Sequence, residues 1–213
     1  MTLKVKVCGM LNAYNVTELV KLNPDYIGFI FYPGSKRFIG PVVPKEIMNS
    51  IPGSTRKTGV FVDEPILSLI ENFRINNLDL VQLHGNELPE YCENLQRLGI
   101  PVIKAFSISP HFDFQSIGIY EQFCEYFLFD TASILRGGSG LKFDWEILSD
   151  YHGNTPFFLS GGIQPGDSAK IISLNHPKLI AVDVNSGFEV EPGSKDISRL
   201  KTFIEDLRSI DAI

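Results

Sequence analysis

The 213-residue sequence is poor in several things that would each point to a definite class. It has three cysteines, Cys8, Cys92 and Cys124, an odd number set far apart. That count argues against a disulfide framework or a zinc cage and fits a reducing compartment. Its four histidines, His84, His111, His152 and His176, offer no pair at metal-ligand spacing, so no metal is expected. No apolar run is long enough to span a membrane. The opening residues, Met1 to Val7, alternate apolar and charged like a strand, whereas a secretion signal would be continuously apolar. The expectation is a cytoplasmic protein with no membrane contact. A basic excess is also lacking: 19 Lys and Arg stand against 25 Asp and Glu, for a net charge of -6. That balance disfavours nucleic acid as a partner, which would call for a basic stripe. It leaves room for a small phosphorylated metabolite held by local amides and cations. Neither a P-loop nor a GxGxxG dinucleotide fingerprint occurs.

What is present is a rhythm. Short runs rich in Val, Ile and Phe recur at 5–7, 26–31, 58–62, 80–83, 101–106, 126–130, 156–160 and 179–184. Most are apolar almost throughout, as parallel strands covered on both faces are. Helix-like stretches lie between them, clearest at 64–73, 87–98, 165–174 and 194–209. The stretch after the second strand is the least clear, because Pro41, Pro44 and Pro52 crowd it. Strand and helix patterns alternating eight times predict an α/β fold, a parallel eight-stranded (β/α)8 TIM barrel filling 1–213 as one domain. A flat doubly wound sheet would give the same local pattern.

In such a barrel the chemistry sits at the C-terminal ends of the strands. The residues falling there include Cys8-Gly9, Arg37, Asp63, Gln82 to Gly85, Lys104, Asp130-Thr131, Ser160 to Gly162 and Asp183 to Gly187. Strand ends carry turn residues in any case, which accounts for many of these glycines. Cys8 reads either as a buried packing thiol or as a base that a modest pKa shift would bring towards neutrality. Cys92 and Cys124 are assigned to packing. Asp130 ends the most apolar strand, where desolvation would raise a carboxyl pKa and suit it to donate a proton. Asp63, followed by Glu64-Pro65, reads mainly as a helix N-cap. Arg37 can fork a carboxylate, or be half of a solvated pair with Lys36. His84 is a substrate contact, a ligand or a turn histidine. Three late glycine clusters, 137–140, 160–162 and 185–187, suit backbone N–H groups to an oxyanion.

Taken in order and spacing, these stretches resemble the phosphoribosylanthranilate isomerase family. The resemblance runs through Lys6-Val7-Cys8-Gly9, Ser35-Lys36-Arg37, Val81-Gln82-Leu83-His84-Gly85, Asp130-Thr131, Gly137 to Gly140, Ser160-Gly161-Gly162 and Val182 to Gly187 with Glu189. It covers nearly the whole chain and implies an eight-stranded barrel that performs an Amadori rearrangement in tryptophan biosynthesis. It implies Cys8 as general base, Asp130 as general acid and Arg37 on the anthranilate carboxylate. Substrate contacts are expected from Gln82, His84 and Asp183. The phosphate is expected on Gly138, Gly140, Gly161, Gly162, Asn185, Ser186 and Gly187. No cofactor is implied, and the protein is expected to be a monomer or a homodimer. Loop 131–140 is the candidate for a moving lid.

Two positions depart from the family pattern. Leu11 stands where a threonine is usual, so Asn12 is expected to cap the first helix, and Asn185 replaces a more usual serine. Other phosphate-binding barrels fit less well. An indole-glycerol-phosphate synthase would need an N-terminal extension, and a metal-using epimerase would need histidine and aspartate ligands at strand ends. A catalytically silent binding barrel would be favoured by loss of Cys8 or Asp130, and both are present.

Overall fold

The computed structural model describes residues 2–131 and 143–209. Its strands are β1 (Lys4–Cys8), β2 (Tyr26–Ile30), β3 (Arg56–Phe61), β4 (Leu80–Leu83), β5 (Val102–Ile108), β6 (Tyr126–Thr131), β7 (Phe157–Leu159) and β8 (Leu179–Val184). Each pairs in parallel with its neighbour in sequence. β8 returns to pair with β1, with Val5 opposite Val182 and Lys6 opposite Asp183. The sheet is therefore a closed barrel, which excludes the doubly wound alternative. A small antiparallel hairpin, β9 (Glu189–Glu191) and β10 (Ser194–Lys195), follows β8 at the mouth.

The helices are α1 (Ala13–Val20), α2 (Lys45–Ser50), α3 (Ile66–Ile75), α4 (Pro89–Arg97), α5 (Ser168–Ser173) and α6 (Ile197–Arg208). Asn12 does cap α1, its side chain accepting from the Asn15 amide. Asp63 does not cap α3: Pro65 holds that position without a side-chain bond. Asp63 instead takes a left-handed backbone, φ 50°, and accepts the Asn86 amide at 2.6 Å, tying the β3 end to the β4 loop.

The eightfold α pattern is also corrected. Among the described residues, the connections after β5 and β6 carry 3-10 helices, Phe114–Tyr120 and Trp145–Asp150. Their buried residues explain this. Phe114 and Ile117, like Trp145 and Leu148, lie three apart, the spacing that a three-residue turn stacks on one face.

The barrel separates two apolar layers. The larger lies between sheet and helices and includes Phe127, Phe129, Phe157 and Leu159. The smaller fills the barrel itself with Tyr26, Leu80, Ile103, Ala105, Leu128, Phe158 and Ala181. Side chains alternate along a strand, so the next inward positions above Leu80, Leu128, Phe158 and Ala181 are Gln82, Asp130, Ser160 and Asp183. An apolar plug at one level thus gives a polar ring two residues further on.

Candidate active site

That ring lines a cavity of about 470 Å³ at the C-terminal mouth. Cys8, Arg37, Gln82, His84, Asp130, Gly161, Gly162, Asp183, Asn185, Ser186 and Gly187 all border it. Gly138 and Gly140, and most of the candidate lid, lie outside the described residues.

Cys8 faces the cavity from the end of β1 but is only 4% exposed. Burial pushes its thiol above the ordinary value, and the Lys6 ammonium pulls the other way. Near-neutral titration is therefore not what this burial produces. Lys6 is wholly buried beneath it, with Nζ 2.8 Å from Asp183 Oδ1. Asp183 thus arrives at the cavity floor already paired.

Asp130 ends β6. Its Oδ1 accepts the Thr131 amide at 2.8 Å, and its Oδ2 lies 3.2 Å from His84 Nε2. The side chain is 26% exposed, so it is less desolvated than its apolar strand suggests. On the far side of the ring, His84 Nδ1 lies 3.0 Å from Gln82 Nε2.

Arg37 is not a solvated partner of Lys36. Its Nε donates to Glu189 Oε1 at 2.8 Å and its Nη2 to Oε2 at 2.5 Å. Lys195 Nζ donates to the same Oε1 and to Asn185 Oδ1, both at 2.7 Å. Bonds from Arg37 and Lys195 outweigh the cost of burial and hold the Glu189 carboxyl at about 2. This network joins the loops after β2 and β8 and leaves Arg37 Nη1 without a protein partner among the described residues.

The glycine loops sit on the neighbouring arc. Gly161 has φ +90° and packs so tightly on Thr131 and Asp130 that a side chain there would collide with both. Only glycine brings that backbone so close to the carboxyl. Short 3-10 turns follow each loop, at Pro165–Asp167 and Ser186–Phe188.

The sequence matches the family model described as N-(5'phosphoribosyl)anthranilate (PRA) isomerase over residues 5–206. The chain belongs to the N-(5'-phosphoribosyl)anthranilate isomerase family. The isomerase of Parabacteroides distasonis is 47% identical over 204 residues, covering 95% of this chain and 92% of that one. The Phocaeicola vulgatus isomerase is 41% identical, covering 96% and 97%. Among solved structures, the Thermotoga maritima isomerase superposes with a TM-score of 0.86 at 34% identity, over 97% and 99% of the two chains. A phosphoribosyl anthranilate isomerase in complex with reduced 1-(o-carboxyphenylamino)-1-deoxyribulose 5-phosphate has a TM-score of 0.83 at 32% identity, over 97% and 99%.

Within this isomerase barrel, sequence reasoning gave no role to Lys6, Glu87, Glu189 or Lys195. Lys6 carried a usable signal: it lies two residues before Cys8 on a strand, and so on the same inward face. Glu189 entered the family resemblance without a role, because its partner Arg37 is 152 residues away, and Lys195 acts through Glu189 and Asn185 in the same network. No helix among the described residues is long and apolar enough to cross a membrane.

Proposed function

We propose that this chain isomerises N-(5-phosphoribosyl)anthranilate to 1-(2-carboxyphenylamino)-1-deoxyribulose 5-phosphate in tryptophan biosynthesis, with Asp130 as general acid and Cys8 as general base. The observation that carries the reading is one cavity bordered by both groups, three strands apart around the barrel, with Arg37 and the glycine loops on its rim.

The chemistry needs two proton movements. Asp130 gives a proton to the ribose ring oxygen while the anthranilate nitrogen pushes in, which opens the ring to a protonated imine. The imine acidifies the sugar C2–H, and the Cys8 thiolate takes that proton. The enolamine that forms tautomerises to the ketone. One carbon is oxidised as its neighbour is reduced, so the redox change is internal. Each positioned proton transfer contributes about 10² to 10⁴-fold. Arg37 Nη1 is the guanidinium nitrogen available to the anthranilate carboxylate. The amides of Gly161, Gly162, Ser186 and Gly187 suit the phosphate, and glycine loops admit it closely. Holding both ends fixes the reacting carbons between acid and base.

Because burial holds the thiol above its ordinary value, kcat/KM of the free enzyme should climb with pH through the alkaline range. The decisive test follows the loss of anthranilate-type fluorescence when freshly prepared phosphoribosylanthranilate meets the enzyme, with a chelator present. Asp130→Asn and Cys8→Ala should each lower kcat by about 10² to 10⁴-fold with KM little changed. Near-normal turnover in either variant removes that residue from the mechanism.

A further inference from the structure

We infer that His84, oriented by Gln82, is a positioning residue for the Asp130 carboxyl, held as the Nε2–H tautomer. This deepens the proposed reaction and rests on Asp130 being its acid.

The argument runs through three consecutive contacts. Gln82 is 1% exposed on β4, one inward position below His84, and its Nε2 stands 3.0 Å from His84 Nδ1. An amide NH2 only donates, so Nδ1 must accept and carry no proton. A neutral imidazole then has its hydrogen on Nε2, the ring nitrogen that lies 3.2 Å from Asp130 Oδ2. Oδ1 is claimed by the Thr131 amide at 2.8 Å. One carboxyl oxygen of Asp130 therefore accepts a backbone donor and the other has the imidazole nitrogen beside it, which limits rotation of the group about its own stem. A strand-end aspartate with one such donor would still turn, and a proton donor must point at one atom of its substrate.

A second observation concerns the amide. Gln82 Oε1 is buried and has no hydrogen-bond partner among the described residues. Such an orphan is costly, so a glutamine is a poor choice for packing at this position. Turning the amide over would present Oε1 to the imidazole and select the Nδ1–H form, leaving the NH2 orphaned instead. The two orientations therefore correspond to two protonation patterns of the ring. Gln82 acts on Asp130 only through His84, so removing it should disturb the acid more than it disturbs substrate binding.

Two measurements test the inference. The first is the ¹⁵N spectrum of histidine-labelled wild-type protein, at a pH where the imidazole is neutral, with the His84 signal identified by its loss in His84→Asn. It should show a protonated Nε2 and a bare Nδ1, and Gln82→Met, which frees Nδ1 while Asp130 stays beside Nε2, should raise the Nδ1–H share of that signal. A wild-type signal from the Nδ1–H tautomer overturns the inference. The second is a double-mutant cycle. His84→Asn and Gln82→Met should each lower kcat roughly tenfold to a hundredfold with KM nearly unchanged, while His84→Asn added to Asp130→Asn should cost little more. Full additivity, or a loss confined to KM, means that His84 acts on the substrate directly and overturns the inference. If Asp130→Asn itself retains turnover, the acid assignment fails first, and the tautomer measurement still reads the His84 orientation separately.

Discussion

Gly28 stands beside Cys8 where β1 pairs with β2, and a Cβ built on it would come within 2.7 Å of the Cys8 sulfur and 3.1 Å of its Cα. The thiol has the place it has because β2 has no side chain there. Gly28→Ala must displace either the sulfur or the β1 backbone, and overpacking of this kind costs about 1–3 kcal/mol. We expect a lowered denaturation midpoint, together with a fall in kcat larger than any change in KM, measured by chemical unfolding and steady-state kinetics. Cys8 and Asp130 were legible as candidates because strand ends can be counted from the sequence. Their surroundings were not. Whether Cys8 is exposed or buried depends on a glycine in another strand, and the partners of Asp130 depend on the neighbouring loops.

At the level of elements, the β4–α4 connection shows how a barrel rim is made rigid. Lys104 on β5 donates to Glu87 Oε2 and to the Gly85 carbonyl, each at 2.9 Å. Glu87 in turn accepts the Asp63 amide at 2.9 Å and the Gly85 amide at 3.0 Å. One buried pair thus ties together the ends of β3, β4 and β5. Breaking it from one side leaves a charge without compensation, so Lys104→Met should cost about 3–5 kcal/mol in unfolding free energy. By contrast, Lys201 and Glu205 on α6 sit 3.9 Å apart with both side chains more than half exposed, and Lys201→Met should change stability by about 1 kcal/mol or less. Element types were readable where periodicity was strong, as for all eight strands and for α6. They were misread after β5 and β6, where two buried residues three apart suit a 3-10 turn and the average spacing of the strands suggested a full helix. The pairing of Glu87 with Lys104 was not legible, because only the folded chain brings that lysine on the following strand to it.

For the whole molecule, barrel closure was legible from eight repeats plus family resemblance, and the pairing of β8 with β1 decides it. The network that crosses this seam was not legible, and it has a measurable acid response. The Glu189 carboxyl is held at about 2 against an ordinary 4.5. A depressed carboxyl stabilises the fold above its unfolded pKa, and that contribution fades as pH falls from about 4.5 towards 2. Glu189→Gln should therefore be less stable than the wild type by about 3 kcal/mol at neutral pH. The gap should close on acidification across that window, as followed by denaturant titration at several pH values.

The same contact bears on how a charged metabolite reaches the mouth. Arg37 is the guanidinium at the rim, and Glu189, shared with the buried Lys195, balances one of those two charges. Backbone amides, which carry no net charge, face the other end of the cavity. A protein of net charge -6 therefore offers a sugar phosphate that also carries a carboxylate little long-range attraction at its entrance and a mild repulsion from elsewhere. Encounter should be slowed in dilute buffer and eased as counter-ions shorten the range of that repulsion. For this barrel kcat/KM should stay level or rise with ionic strength, whereas an enzyme that draws its substrate in by charge would lose rate as salt is added.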